Sequence, residues 1–154
     1  MPTVEGKRNE MNRALESVIT ALLDSQKGFA DIGEHAGDAR LKQFFLTESL
    51  TRASYRGALE EVLHQNGVHD IKESGSAMGT LQRAWGDLKA KLGGGDHALL
   101  VTAEQGEDEV TRAYADALNQ DLPLPVRQLL ATQQEHVLES HDFVREQRDA
   151  PSAR

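Results

Sequence analysis

Apolar residues recur every three or four positions along most of the chain, and almost nothing alternates at the two-residue period of a strand. This periodicity predicts an all-helical protein. The predicted elements are four long helices over about residues 7–35, 39–65, 96–120 and 124–148, a short helix over about 75–92, and a loose tail at 149–154.

The linkers predict how these helices connect. Ala36-Gly37-Asp38 and Asp121-Leu122-Pro123-Leu124-Pro125 are short breaks, and short linkers join antiparallel neighbours. About 30 residues separate the second and third long helices, so two helical hairpins are joined by a long crossover, as in ferritin-like four-helix bundles. We therefore expect a single ferritin-like domain over residues 1–154, in which Asp96 caps the third long helix and Trp85 anchors the crossover helix.

The composition excludes several classes of binding partner and of functional site. The chain carries 17 Lys and Arg against 25 Asp and Glu, a formal net charge of −8, which opposes binding to nucleic acid and to anionic membranes. It contains no cysteine, so disulfides, thiolate metal sites and cysteine nucleophiles are excluded. The start has no basic region followed by an apolar one, and no apolar run is long enough to span a membrane. We expect a cytoplasmic protein.

Several polar side chains fall on the faces that the helices should bury. Glu48 and Arg52 lie on an otherwise apolar stripe of the second helix, and ionisable groups there are costly unless they are paired or bound to a metal. The periodicity predicts a polar core network of Gln26, Glu48, Arg52, Tyr55, Glu107, Tyr114 and Gln133.

The same region also allows a metal site. Three carboxylates and one imidazole are an adequate ligand set for iron, manganese or zinc. If the crossover runs the length of the bundle, Glu48, Glu104, Glu107 and His141 come to similar depth and supply that set.

The pattern of a di-metal bundle is incomplete, however. Such a bundle needs Glu-x-x-His pairs, but Thr51 follows Glu48 and Leu138 precedes His141 at the spacing of three. Gln26 replaces a carboxylate on the first helix, and Arg52 puts a fixed positive charge where a cation would sit. The favoured expectation is an ion-pair network with no cofactor.

Six short motifs, separated along the chain, resemble those of a known protein family. They are Asp24-Ser25-Gln26-Lys27-Gly28-Phe29, Gly75-Ser76-Ala77-Met78-Gly79, Trp85-Gly86-Asp87-Leu88-Lys89, Gly106-Glu107-Asp108, Leu122-Pro123 and His141-Asp142-Phe143-Val144. With these motifs in this order, the chain resembles an uncharacterised family of bacterial four-helix-bundle proteins in the ferritin-like superfamily. The resemblance covers about Asn9 to Arg148. The resemblance implies the fold, with Glu107 and His141 in motif positions, and a link to stress responses by analogy with neighbouring families. It implies no reaction.

Two functions of different class remain open. The first is a non-catalytic structural or partner-binding module whose polar core fixes helix register; the second is a metal-binding relative of ferritins. The residues favour the first; they lean against an enzyme but leave that question open. The protein partner is not indicated, although Leu23, Leu46 and Leu50 off the main stripes leave room for a homodimer. His136 is expected at the surface.

Overall fold

The described part of the chain is helical almost throughout. The computed structural model describes residues 3–68, residue 85 and residues 88–150. Its helices are α1 (Val4–His35), α2 (Ala39–Gln65), α3 (Leu88–Lys91), α4 (Asp96–Leu118) and α5 (Leu124–Asp149). The all-helical prediction is confirmed for these residues, and the arrangement of the four long helices is consistent with a four-helix bundle.

The helix ends follow local chemistry. Thr3 caps α1 by accepting the N–H of Gly6, and Asp38 caps α2 by accepting those of Arg40 and Leu41. Asp96 does not cap α4 as expected. Its carboxylate instead accepts the backbone N–H groups of Gly37 and Asp38 at 2.7 and 2.9 Å, while Gly95 occupies the cap position. Asp96 therefore joins the start of α4 to the α1–α2 turn.

Most of the predicted crossover helix, including the Gly75–Gly79 motif, lies outside the described residues, as do residues 151–154 of the predicted tail. Of that helix the structure describes Trp85 and α3.

The helix directions follow from contacts at their ends. Helix α1 packs against both α2 and α4, and α4 packs against α5. Asp96 at the start of α4 lies beside the end of α1, whereas Lys7 near the start of α1 pairs with Asp121 beyond the end of α4. Helices α1 and α4 are thus antiparallel. Because α2 begins where α4 begins, these two helices run in the same direction.

The buried apolar residues fall into two clusters. The aliphatic cluster consists of Met11, Leu15, Val18, Ile19, Ala21, Leu22, Leu59, Leu63, Val110, Tyr114, Ala117, Leu122, Leu130 and Val137. The aromatic cluster consists of Phe29, Ile32, Ala36, Leu41, Phe45, Trp85, Leu88, Leu99, Leu100, Ala103 and Val144. Val68 packs on the first cluster and Leu88 belongs to the second.

Trp85 is buried against two glycines. A Cβ placed on Gly28 of α1 would lie 2.4 Å from the indole, and one on Gly106 of α4 would lie 1.9 Å from it. The indole also meets the Phe29 ring edge-on, with centroids 5.9 Å apart. The two glycines therefore form the slot that admits Trp85. No described helix is both long enough and apolar enough to cross a lipid bilayer.

Candidate functional site: a buried polar layer

A layer of polar side chains separates the two apolar clusters. Each long helix contributes one buried member, and each member lies one or two helical turns from apolar residues of either cluster. The members are Ser25 of α1, Arg52 of α2, Glu107 of α4 and Ser140 of α5. We call these four residues, together with Glu48, the polar layer.

Arg52 is the centre of this layer. Its side chain and that of Glu107 are fully buried, and the guanidinium donates to both carboxylate oxygens, at 2.6 and 3.0 Å. It also donates to the hydroxyl of Ser140 at 3.1 Å and to that of Ser25 at 3.4 Å. A planar guanidinium fits a carboxylate in this two-point geometry, which a lysine could not reproduce. One side chain thus contacts the other three long helices.

The charges in the layer support each other. Burial alone would lower the pKa of Arg52, but the charge and hydrogen bonds of Glu107, together with the charge of Glu48, outweigh it and leave that pKa above its usual value. The guanidinium carbon lies 4.9 Å from the centroid of the Phe29 ring, a cation–π contact. The arginine therefore stays charged and is held from several sides.

Glu48 extends the layer towards the surface. Its carboxylate is 5% exposed, lies 3.7 Å from Nε of Arg52, and contacts Nε2 of His136 at 2.5 and 3.0 Å. The His136 ring packs edge-on against Tyr55, with centroids 5.7 Å apart. His136 is therefore half-buried and bound to the layer, rather than a plain surface residue as expected.

A second group of polar contacts lies in the aliphatic cluster. The buried Tyr114 hydroxyl donates to Oε1 of Gln133 at 2.7 Å, and the amide of Gln133 donates to the backbone carbonyl of Tyr55 at 3.4 Å. Burial raises the pKa of Tyr114, and the nearby charge of Arg52 only partly opposes this. These residues, predicted as part of one network, form a hydrogen-bonded chain of their own.

Gln26 has a different place. Its backbone carbonyl accepts the hydroxyl of Ser49 at 2.8 Å, which fixes α2 against α1. Its side-chain oxygen is buried, and it has no hydrogen-bond partner among the residues that the structure describes.

The four predicted metal ligands divide between this layer and the rim of the bundle. Glu48 and Glu107 lie on either side of the Arg52 guanidinium. Glu104 pairs with Arg148, and His141 contacts the exposed Asp108 at 2.8 Å. Within residues 3–68, 85 and 88–150, no three His, Asp or Glu side chains are grouped so that they could hold a metal ion. The metal site stays a prediction, and any ion between Glu48 and Glu107 would have to displace the guanidinium.

Asp24 is a buried carboxylate outside the polar layer. Asp24 is 5% exposed, and its Oδ2 lacks a hydrogen-bond partner in the described part of the chain. Burial raises its pKa to about 6, against the opposing charge of Lys27. The sequence around Asp24 did not indicate a buried carboxylate without a partner. The prediction for this stretch concerned Gln26, as a member of the polar core network.

The model of one protein family, described as a domain of unknown function, matches residues 10–120 of the chain. The chain belongs to this DUF2383 family. The DUF2383 match includes Ser25, Glu48, Arg52 and Glu107, whereas α5, which supplies His136 and Ser140, lies beyond it. No curated protein matches the chain.

Proposed function

We propose that this DUF2383 protein is a non-catalytic, ferritin-like module of the cytoplasm that acts by binding a protein partner, with its polar layer holding the helices in register. One observation carries the proposal: Arg52, fully buried, binds Glu107 through two hydrogen bonds and so occupies the space between Glu48 and Glu107 that a metal ion would need. The link to stress responses rests on the resemblance alone.

A buried ion pair is well suited to fixing register. If α2 slid by one turn against α4, the charges of Arg52 and Glu107 would be buried without partners, at a cost of about 3–5 kcal/mol. An apolar layer would tolerate such a slip far better, because hydrophobic contacts are not directional. Polar core residues are known to act in this way in coiled coils.

The ferritin-like connectivity has its own support. Helices α2 and α4 run in the same direction, so the chain must return from the end of α2 to the start of α4 at the opposite end of the bundle. Val68 packs on the aliphatic cluster and Leu88 on the aromatic cluster, which agrees with such a crossover.

Metal analysis tests the proposal. Protein purified without chelator should contain far less than one equivalent of iron, manganese or zinc, and its melting temperature should not respond to Fe²⁺, Mn²⁺ or Zn²⁺. Stoichiometric metal that is lost in Glu107→Gln but kept in the control Glu109→Gln, whose carboxylate pairs with Arg112 on the same helix, would overturn it in favour of the metal-binding alternative.

A further inference from the structure

The outer face of α2 carries an apolar stripe. Its members are Leu46, Leu50, Ala53 and Gly57, spaced by four, three and four residues, which places them along one side of the helix. Leu50 is 73% exposed. Leu46 packs over Gly33 of α1 on one side and is 38% exposed on the other. A Cβ at Gly57 would meet no atom within 4 Å, so the space above it is open.

The side chains of the stripe decrease in size along α2. The large side chains, Leu46 and Leu50, occupy its first half, and the small ones, Ala53 and Gly57, occupy its second half. A surface with this order is complementary to itself when turned end to end, because each leucine then faces a small residue. We propose that this face binds α2 of a second copy of the chain in antiparallel orientation, with Leu46 over the partner's Gly57 and Leu50 over the partner's Ala53. The inference rests on the proposed partner-binding function and names the partner.

The charges along α2 favour the same orientation. Arg40 and Lys42 lie near its start, where the first turn contains no acidic residue, and Glu60 and Glu61 lie near its end. Lys42 already binds the carbonyls of Gly33 and Glu34, and Glu60 pairs with Arg56, which leaves the exposed Arg40 and Glu61 to interact across the pair.

A single two-fold axis accounts for both the apolar stripe and the charges along α2. The midpoint between Arg40 and Glu61 falls beside Leu50, and the midpoint of the stripe falls between Leu50 and Ala53. An antiparallel pair therefore brings Arg40 near the partner's Glu61 while the leucines meet the small residues. A parallel pair would instead place like charges together and leucine against leucine. Since the contact is a single pair of helices, we expect a dimer with a dissociation constant on the order of micromolar.

Sedimentation equilibrium from low micromolar to near-millimolar protein tests the association. The unmodified chain should shift from monomer to dimer over this range, and Leu50→Glu should weaken the dimer at least about tenfold. The matched control is Leu138→Glu on α5, since Leu138 is 42% exposed outside the stripe and should leave the dimer intact. Circular dichroism checks that each variant folds. A monomer at every concentration, or equal effects of the two substitutions, overturns the proposal.

Disulfide trapping tests the orientation, because the chain has no cysteine of its own. Leu46→Cys and Gly57→Cys proteins, mixed and mildly oxidised, should form a disulfide between the two variants, while each alone should cross-link far less. Efficient cross-linking of Leu46→Cys to itself would indicate a parallel pair and overturn the proposed geometry. Metal content is measured separately, so failure here is distinguishable from failure of the proposed function.

Discussion

The inner and outer polar pairs of the bundle both join a basic side chain to a carboxylate, but in opposite surroundings. Arg52 and Glu107 are fully buried and joined by two hydrogen bonds, whereas His141 meets an Asp108 whose side chain is 57% exposed. Inside, each charge depends on its partner, because water cannot replace it. At the rim, water and salt screen the attraction. Residues that look alike in the sequence as ligands or ion-pair partners should therefore differ widely in how much their substitution lowers the free energy of unfolding.

The largest effect should come from breaking the inner pair. Glu107→Gln keeps the shape of the side chain but leaves the buried charge of Arg52 without its main partner, so we expect a loss of about 3–5 kcal/mol in the free energy of unfolding. Chemical denaturation monitored by circular dichroism measures it. The neighbouring Asp108→Asn is the control and should cost less than about 1 kcal/mol. Equal losses in the two variants would remove the distinction between inner and outer pairs.

Asp24 offers a smaller effect of opposite sign. Its pKa of about 6 in the folded protein lies above the unfolded value of roughly 3.9, so the folded state holds the proton more tightly and its charged form is destabilising. Asp24→Asn should therefore stabilise the protein by about 1–2 kcal/mol above pH 6, and the gain should disappear as the pH falls below about 4. Denaturation curves of both proteins at several pH values measure this difference. A gain that does not change with pH would contradict the assignment.

The smallest effect is expected at the rim. His141→Gln removes the ring contact with Asp108 but keeps most of the volume of a side chain that is only 16% exposed, and we expect a change of about 0–1 kcal/mol in the free energy of unfolding. The same denaturation assay measures it. A loss above about 2 kcal/mol would show that His141 belongs with the inner group after all.

Much of the fold was predictable from the sequence because its signals are local. The capping Asp38 and the Asn66-Gly67 break mark both ends of α2, and the structure ends the helix at the predicted residues. The helix that was predicted from about residue 7 begins instead at Val4, because Thr3 provides a cap that the apolar pattern does not register. Local chemistry thus explains the successes and the small differences alike.

The site was only partly predictable, because its contacts join different helices. Arg52 stood out as a charge on an apolar stripe, and so its burial could be anticipated. Ser25 and Ser140 could not be identified, since small hydroxyl residues are common in helix cores and become meaningful only beside a guanidinium. His136 could have been suspected because it lies three residues after Gln133, a predicted member of the polar core. Asp96 acts through the distant α1–α2 turn, and no local pattern reveals that.

A double-mutant cycle between Arg52 and Glu107 tests the central claim most directly. The account predicts that Arg52→Met and Glu107→Leu each cost about 3–5 kcal/mol alone, while the double variant stays within about 1 kcal/mol of the unmodified protein, because removing both charges leaves neither one buried without a partner. Losses that simply add in the double variant would contradict the claim that these two side chains compensate each other in the core.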